Sequence, residues 1–352
     1  MKTLKLFLVP IFILLVFTSF KKNEAANSNL LKATNLVAVR KDHQLSQDSL
    51  KSLPVNKYGQ LYVSGRYLKS QSGQTISLRG QSLGWSTYWP QYWNANVVNW
   101  LTDDFKVDII RASMGVEGAN GYLNDQGDQL NNIKTVVDAA IAKGTYVIID
   151  WHCEAFHQDE AVAFFKLMAL QYGKYPNVLY EILNEPNNTQ SWPQVKSYAQ
   201  AVIAGIREYD TKNIIIVGCP HWDQKIRDVA DSPLTGYSNI MYTVHYYAAT
   251  HGQWLRDDCA YALSKNIPIF VTESNGTEAS GSGHIDYTQW EAWFDFLETN
   301  HISWVNWSVS DKPGELCSIL KPRSPSNGGW TSSQLTETGN YIRNKLRSYN
   351  TK

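Results

Sequence analysis

The sequence carries no excess charge of either sign: 32 Lys and Arg balance 32 Asp and Glu over 352 residues. Without a net field, nothing draws nucleic acid or an anionic membrane surface, so neither is expected as a partner. Cysteine is scarce. Cys153, Cys219, Cys259 and Cys317 form no short pair, which argues against a structural zinc site; no metal is expected, and one disulfide or none. Charged residues make up only 18% of the chain and hydrophobic residues 43%, which excludes wholesale disorder. Aromatics are plentiful by contrast, with 13 Trp and 20 Tyr. Most should fill a core, although a Trp face can also stack on a sugar ring.

Lys2 and Lys5 precede an apolar run, Leu6 to Phe20, that is short of the roughly 20 residues needed to span a bilayer. A basic start followed by such a run reads as an export signal over 1–25, and the expected destination is outside the cytoplasm, extracellular or periplasmic. Lys21 and Lys22 keep an uncleaved anchor open as the alternative. Residues 26–53 are mostly Asn, Ser, Lys, Gln and Asp with scattered aliphatics, which suits a flexible leader. One folded domain is expected over 54–350.

From Pro54 onward, short aliphatic runs alternate with longer amphipathic stretches. Eight strand candidates can be read: "TISL", "VDIIRASM", "TYVIIDWH", "VLYEILNEP", "NIIIVG", "NIMYTVHYY", "IPIFVTES" and "ISWVNWSV", each followed by a helix or its remnant. Repeated strand and helix alternation implies a parallel sheet covered by helices. Eight units in this length fit an α/β (β/α)8 TIM barrel. No glycine-rich phosphate loop follows the first strand to favour a doubly wound nucleotide binder, so no cofactor is expected.

In such a barrel the C-terminal strand ends line the active site. Those ends read Arg111, Asp150 with His152, Asn184 with Glu185, His245 with Tyr247, Glu273, and Trp307. Any one alone has a structural explanation, such as an ion pair or a core histidine. Six strands of eight ending this way favour a site. Glu185 on the fourth strand and Glu273 on the seventh can meet across a bound ligand, and hydrolysis of a glycosidic bond needs such a pair. Glu181, four residues earlier and deeper, reads as a partner of Arg or His, and Asp150 as a buttress. Cys153 beside His152 reads as packing.

The ordered set "IIRASM", "YVIIDWH", "PNVLYEILNEPN", "NIIIVG", "HYYAATHGQ", "SWVNWS" and "GGW" resembles glycoside hydrolase family 5, in particular its secreted endo-β-1,4-glucanases. The resemblance implies a retaining two-glutamate mechanism with Glu185 as general acid/base and Glu273 as nucleophile. It implies Asn184 on the sugar 2-hydroxyl, Arg111 and Tyr247 holding Glu273, and His152 and His245 touching substrate or supporting the acid/base. Trp307 and Lys312 would hold glucose on the non-reducing side of the scissile bond, and Trp222 the leaving-group side. Trp85, Tyr88 and Trp89 would contribute a distant sugar subsite. The implied partner is a β-glucan chain, acted on by a monomer.

Two features depart from that pattern. Relatives carry an aromatic and a Gly after the nucleophile, where this chain has Ser274 and Asn275. Relatives of the bacterial type carry a histidine in the loop after the first strand, where "GQSLGWSTYWPQYW" has none. Three readings therefore stay open: an endo-glucanase, a mannanase or a hydrolase of mixed-linkage glucan or xyloglucan, and a catalytically impaired polysaccharide-binding protein. With no second sugar-binding module expected, soluble or amorphous chains are the expected substrate.

Overall fold

The computed structural model describes residues 52–351. The expected export signal and nearly all of the expected leader lie outside them. A short helix α1 (Pro54–Tyr58) opens with proline, whose missing N–H costs nothing in a first turn. An antiparallel hairpin follows, β1 (Tyr62–Ser64) and β2 (Tyr67–Lys69), turning at Gly65 with φ 60°. Only glycine takes that left-handed conformation without a steric penalty.

Eight parallel strands then close a barrel. They are β3 (Arg79–Leu83), β4 (Ile109–Gly115), β5 (Tyr146–His152), β6 (Val178–Glu181), β7 (Ile215–Val217), β8 (Ile240–Tyr247), β9 (Ile269–Asn275) and β10 (Ser303–Val309), with β10 pairing back to β3. Chain order equals spatial order, the (β/α)8 arrangement expected from the alternation. The first strand is a correction: "TISL" does not enter the barrel. Thr75 makes an isolated antiparallel bridge to Lys69, and Ile76 and Leu78 pack under the barrel. The polar run "RGQSL" enters instead, because its side chains find buried partners. Gln81 Nε2 donates to the Asn306 carbonyl (3.1 Å), and Ser82 Oγ lies 2.8 Å from Ser113 Oγ.

The helices show why the rest of the reading held. In α3 (Gln126–Lys143), following the short α2 (Ala95–Trp100), the buried Ile133, Val136, Val137 and Ala140 recur at helical spacing and face the strands. Asp125 caps the helix start by accepting from the Asp128 N–H, and Gly144 ends it at φ 73°. The remaining outer helices are α4 (Gln158–Tyr172), α5 (Trp192–Arg207), α6 (Ile226–Asp231), α7 (Gln253–Ser264), α8 (Tyr287–Asn300) and α9 (Glu337–Asn350). Among the described residues no helix is long and apolar enough to cross a membrane.

Two apolar layers result. One lies between strands and helices. The other fills the barrel floor with Ile109, Ile148, Leu179, Ile216, Met241, Phe270 and Val305, closed from below by Leu61, Leu68, Ile76 and Leu78. Each such fully buried side chain contributes about 1.5–3 kcal/mol of transfer free energy. All four cysteines are buried and unbridged.

Candidate active site

The polar strand ends gather at the mouth. β6 stops pairing regularly at Glu181, but the backbone runs on against its neighbours. Ile182 N–H donates to the Ile216 carbonyl (3.1 Å), Asn184 N–H to Trp151 (3.1 Å) and Glu185 N–H to Cys153 (3.3 Å). Asn184 and Glu185 are thus fixed by main-chain bonds rather than left in a free loop. Pro186, with no N–H to offer, turns the chain away, and its carbonyl accepts from the Trp222 N–H (2.8 Å).

Arg111, on β4, is fully buried and sits at the centre of the charges. Its Nη1 donates to Glu273 Oε2 (2.8 Å), its Nε to Glu181 Oε2 (2.7 Å) and its Nη2 to Asn184 Oδ1 (2.6 Å), with Asp150 Oδ2 at 3.0 Å. A guanidinium has enough N–H donors, in a fixed plane, for all four groups, more than a lysine ammonium offers. Because Asn184 Oδ1 is taken, its amide N–H groups are the end left for a ligand. Tyr247 OH donates to the other oxygen of Glu273, Oε1 (2.7 Å). Burial, reinforced by the charge of Glu273, pushes the Tyr247 phenol well above its usual range, so it remains a donor.

Glu185 has a different neighbour. Its Oε1 lies 2.9 Å from His245 Nδ1, while His245 Nε2 lies 2.9 Å from Thr272 Oγ1, which bonds on to Glu181 (2.5 Å). Burial opposes charge on His245, but Asp223, Glu181 and Glu185 around it win, holding the imidazole protonated well above its ordinary value. For Glu181, burial is overcome by Arg111 and by bonds from His245 and Arg111, which hold the carboxyl down to about 2. Asp150 goes the other way: burial outweighs Arg111, and Glu181 and Glu273 add to it, raising the carboxyl well above the usual range. His152, 2.7 Å from Asp150, is pressed down to about 3 by burial and Arg111 and is a neutral imidazole.

A carboxylate oxygen of Glu185 and one of Glu273 lie within 4.8 Å of each other and of a His245 nitrogen. Both ring nitrogens of His245 are hydrogen-bonded and its cationic form has no lone pair to give. The trio therefore fits proton handling rather than metal ligation. The Glu185 side chain is 21% exposed and that of Glu273 7%, so the first is the more open to a leaving group or water.

Two hollows flank the pair. One, of about 290 Å³, is lined by Trp222, Gln224, Glu154, Tyr247 and both glutamates. The other, of about 590 Å³, is lined by Trp85, Tyr88, Trp89, Trp307 and Lys312. Trp307 stacks parallel to the neutral His152 ring at 5.2 Å, and Trp85 meets His152 edge-on at 4.1 Å. Tyr88 stands at the rim, 71% exposed. Lys312 reaches the second hollow but its ammonium bonds Glu315 (2.9 Å). Of the residues singled out in the sequence, Glu185, Glu273, His245, Tyr247 and Trp222 line the first hollow and Trp85, Tyr88, Trp89, Trp307 and Lys312 the second, while Arg111, Asp150, His152 and Asn184 are buried beside them. The reading missed Thr272, Gln224, Glu154 and Asp223, although Thr272, Glu154 and Asp223 adjoin residues that it singled out, Glu273, Cys153 and Trp222.

Ser274 and Asn275, the departure after Glu273, turn toward β10. Ser274 Oγ donates to the Val305 carbonyl (2.9 Å) and Asn275 Nδ2 to the Trp307 carbonyl (2.6 Å). Neither takes a partner from Glu273.

The family model for cellulase (glycosyl hydrolase family 5) matches residues 70–313. The chain belongs to glycosyl hydrolase family 5. An endoglucanase from Clostridium saccharobutylicum is 42% identical over 299 residues, covering 83% of this chain and 66% of that protein. Endoglucanase 5 from Pectobacterium carotovorum subsp. carotovorum is 39% identical over 310 residues, covering 86% and 61%. The chain thus spans about two thirds or less of the length of these two relatives. Among solved structures, one from Cytophaga hutchinsonii is 44% identical with a TM-score of 0.83, covering 85% of this chain and 97% of the other. An endoglucanase catalytic domain from Thermobifida fusca, in complex with cellotetraose, is 33% identical with a TM-score of 0.79, covering 84% and 99%.

Proposed function

We propose that the protein is a retaining endo-β-1,4-glucanase, a cellulase, in which Glu273 is the nucleophile and Glu185 the general acid/base. The observation that carries this is the close approach of two carboxylates in unlike surroundings, with oxygens within 4.8 Å. Retaining glycosidases hold their carboxyl groups about 5–5.5 Å apart, whereas inverting ones leave about 6.5–9.5 Å for a water.

Glu273 attacks the anomeric carbon as Glu185 protonates the departing glycosidic oxygen, so the C–O bond to the leaving chain breaks while the bond to Glu273 forms. Glu185, now a carboxylate, takes a proton from water; the hydroxyl displaces Glu273, and both groups return to their starting state. Arg111 and Tyr247 each bind one Glu273 oxygen and orient it. The free amide end of Asn184 suits the 2-hydroxyl of the reacting sugar. Trp307 is the platform on one side, with Lys312 nearby, and Trp222 on the other. Trp85, Tyr88 and Trp89 extend the first side.

An open cleft with hollows on both sides of the glutamates supports internal cleavage of a β-glucan by a single chain. The basic start and apolar run of residues 1–25 support export of the protein. The test is hydrolysis of carboxymethylcellulose beside mannan, with the first product's anomer read by NMR. Release of the β-anomer from glucan is expected. The α-anomer would overturn the mechanism, and mannan cleavage without glucan cleavage would overturn the substrate.

A further inference from the structure

The segment between β7 and α6 departs from ordinary backbone. His221, Trp222 and Asp223 have φ of 63°, 53° and 59°, three successive left-handed residues with no glycine among them. Each such residue costs on the order of 1–2 kcal/mol in L-amino acids, so the turn is held by what its side chains do. Trp222 lines the smaller hollow of the cleft. Asp223 is fully buried and turns to His245, which lines the same hollow.

One Asp223 oxygen, Oδ1, accepts from the Cys219 N–H (2.6 Å) and ties the turn shut. The other, Oδ2, is buried with no hydrogen-bond partner, and lies 3.4 Å from His245 Nδ1. That same nitrogen is 2.9 Å from Glu185 Oε1. A single N–H therefore faces two carboxylates, one on the cleft and one behind it.

We propose that Asp223 is a positioning residue for the acid/base step. From the left-handed turn it shares the Nδ1 proton of His245 with Glu185, and so fixes the imidazole and, through it, the way the Glu185 carboxyl faces. The proposal rests on the reading of Glu185 as acid/base. During turnover Glu185 is alternately a carboxyl and a carboxylate. As a carboxylate it takes the Nδ1–H strongly; as a carboxyl it is a weaker acceptor, and Asp223 Oδ2 offers the N–H a second acceptor without any ring rotation. His245 keeps its proton in both halves of the cycle.

The groups facing His245 come from every side. Glu181 and Glu185 lie on β6 and its extension, Asp223 on the turn after β7, and Thr272 and Glu273 on β9; Asp150 and Arg111 stand across the barrel, and His251 follows His245's own strand. His251 is pressed down to about 4 by burial and by His245, so it adds no positive charge near neutrality. Of the carboxylates, Glu181 is already engaged by Arg111 and Thr272. Asp223 is the one whose free oxygen faces His245 alone.

The test is Asp223→Asn, nearly isosteric and able to keep the Cys219 bond. Burial, with Glu185 beside it, raises the Asp223 carboxyl well above its usual range, and the facing His245 cation opposes this. Where that cation holds Asp223 ionised, the amide removes the charge and His245 releases its proton earlier. The basic limb of kcat/KM on cello-oligosaccharides should then move toward acid by about one pH unit, the lower end of the effect of a charge within 4–6 Å. With dinitrophenyl β-cellobioside, whose leaving group needs no proton, the glycosylation step should keep its limb. An unchanged limb on both substrates overturns the proposal. Parent-like activity of Glu185→Gln would instead overturn the acid/base assignment beneath it. If Asp223→Asn fails to fold, the imidazole nitrogens of His245 are read by NMR in the parent. Loss of the His245 proton below pH 7 overturns the proposal, and its retention to pH 8 supports it.

Discussion

The two ends of the barrel are built from the same eight strands and share almost no chemistry. At the floor, Ile109, Ile148, Leu179, Ile216, Met241, Phe270 and Val305 meet in an apolar plug sealed by the N-terminal hairpin and the segment after it. At the mouth, Arg111, Asp150, Glu181, Glu185, His245 and Glu273 meet in a network whose members are nearly all buried. On β9 the two ends are three residues apart: Phe270 belongs to the plug and Glu273 to the site. Dispersion and water exclusion hold the floor, and any apolar group of the right volume would serve. At the mouth each position is determined by its partner, because an unpaired buried charge costs several kcal/mol. Changes at the mouth that keep shape and hydrogen bonding should therefore alter turnover, and those that open a cavity at the floor stability.

The largest effect expected from that contrast is at Glu273. An amide in Glu273→Gln keeps the shape and a hydrogen-bond acceptor but cannot form the glycosyl ester. Hydrolysis of carboxymethylcellulose should fall by on the order of 10⁴-fold or more, as when one member of a catalytic unit is removed. Its thermal midpoint should move less than that of Phe270→Ala. A turnover rate equal to the parent's would remove Glu273 from its role.

Three residues away the outcome should reverse. Phe270→Ala leaves a cavity in the plug and should cost about 3–5 kcal/mol of unfolding free energy in a urea titration. At a temperature where the variant is still folded, kcat and KM should stay near the parent values. A large loss of kcat in the folded variant would show that the floor and the mouth are coupled, and would break the comparison.

Trp222 belongs to the mouth but lies outside the charge network. Trp222→Ala should raise KM for long glucan chains by several-fold, consistent with about 0.5–1.5 kcal/mol for one aromatic contact. Cleavage of an aryl cellobioside, which places little on the leaving-group side, should be affected less. Equal loss on both substrates would mean that the variant disturbs Asp223 next to it rather than a sugar platform.

The contrast also explains what is legible in the sequence alone. Barrel strands are apolar through most of their length, so polar residues at their C-terminal ends stand out, and Arg111, Asn184, Glu185, His245, Tyr247 and Glu273 could be picked out. Aliphatic pattern alone misplaced the first strand, since "TISL" is as apolar as a strand although it seals the floor. The polar "RGQSL" enters the barrel because Gln81 and Ser82 meet Asn306 and Ser113, about 225 and 31 positions away. Asp223 was passed over for a related reason. Its importance depends on three left-handed residues that carry no glycine to announce them, and on a histidine from the next strand.

The last contrast sets the two ends against each other through pH. Asp108 lies at the floor end, just before β4, and its Oδ2 accepts from the Arg79 N–H (3.2 Å). Burial raises its carboxyl to about 7, outweighing the attraction of Arg79. Its folded value is thus above its unfolded one: below about pH 4 the group is neutral in both states and costs nothing. Between about 4 and 7 the unfolded chain sheds the proton first, and the folded state is progressively destabilised. Glu181 at the mouth, held at about 2, has the opposite sign: its stabilisation is present above about pH 4.5 and is lost as pH falls toward 2. Asp108→Asn removes the titration at the floor and preserves an acceptor for Arg79. It should match the parent's stability near pH 4 and exceed it at pH 8 by up to about 4 kcal/mol in urea unfolding, about 1.4 kcal/mol for each of the roughly 3 pH units of the rise. A stability difference that is the same at both pH values would mean that the Asp108 carboxyl ionises alike in the folded and unfolded chain, and that the floor, unlike the mouth, exerts no hold on this buried acid.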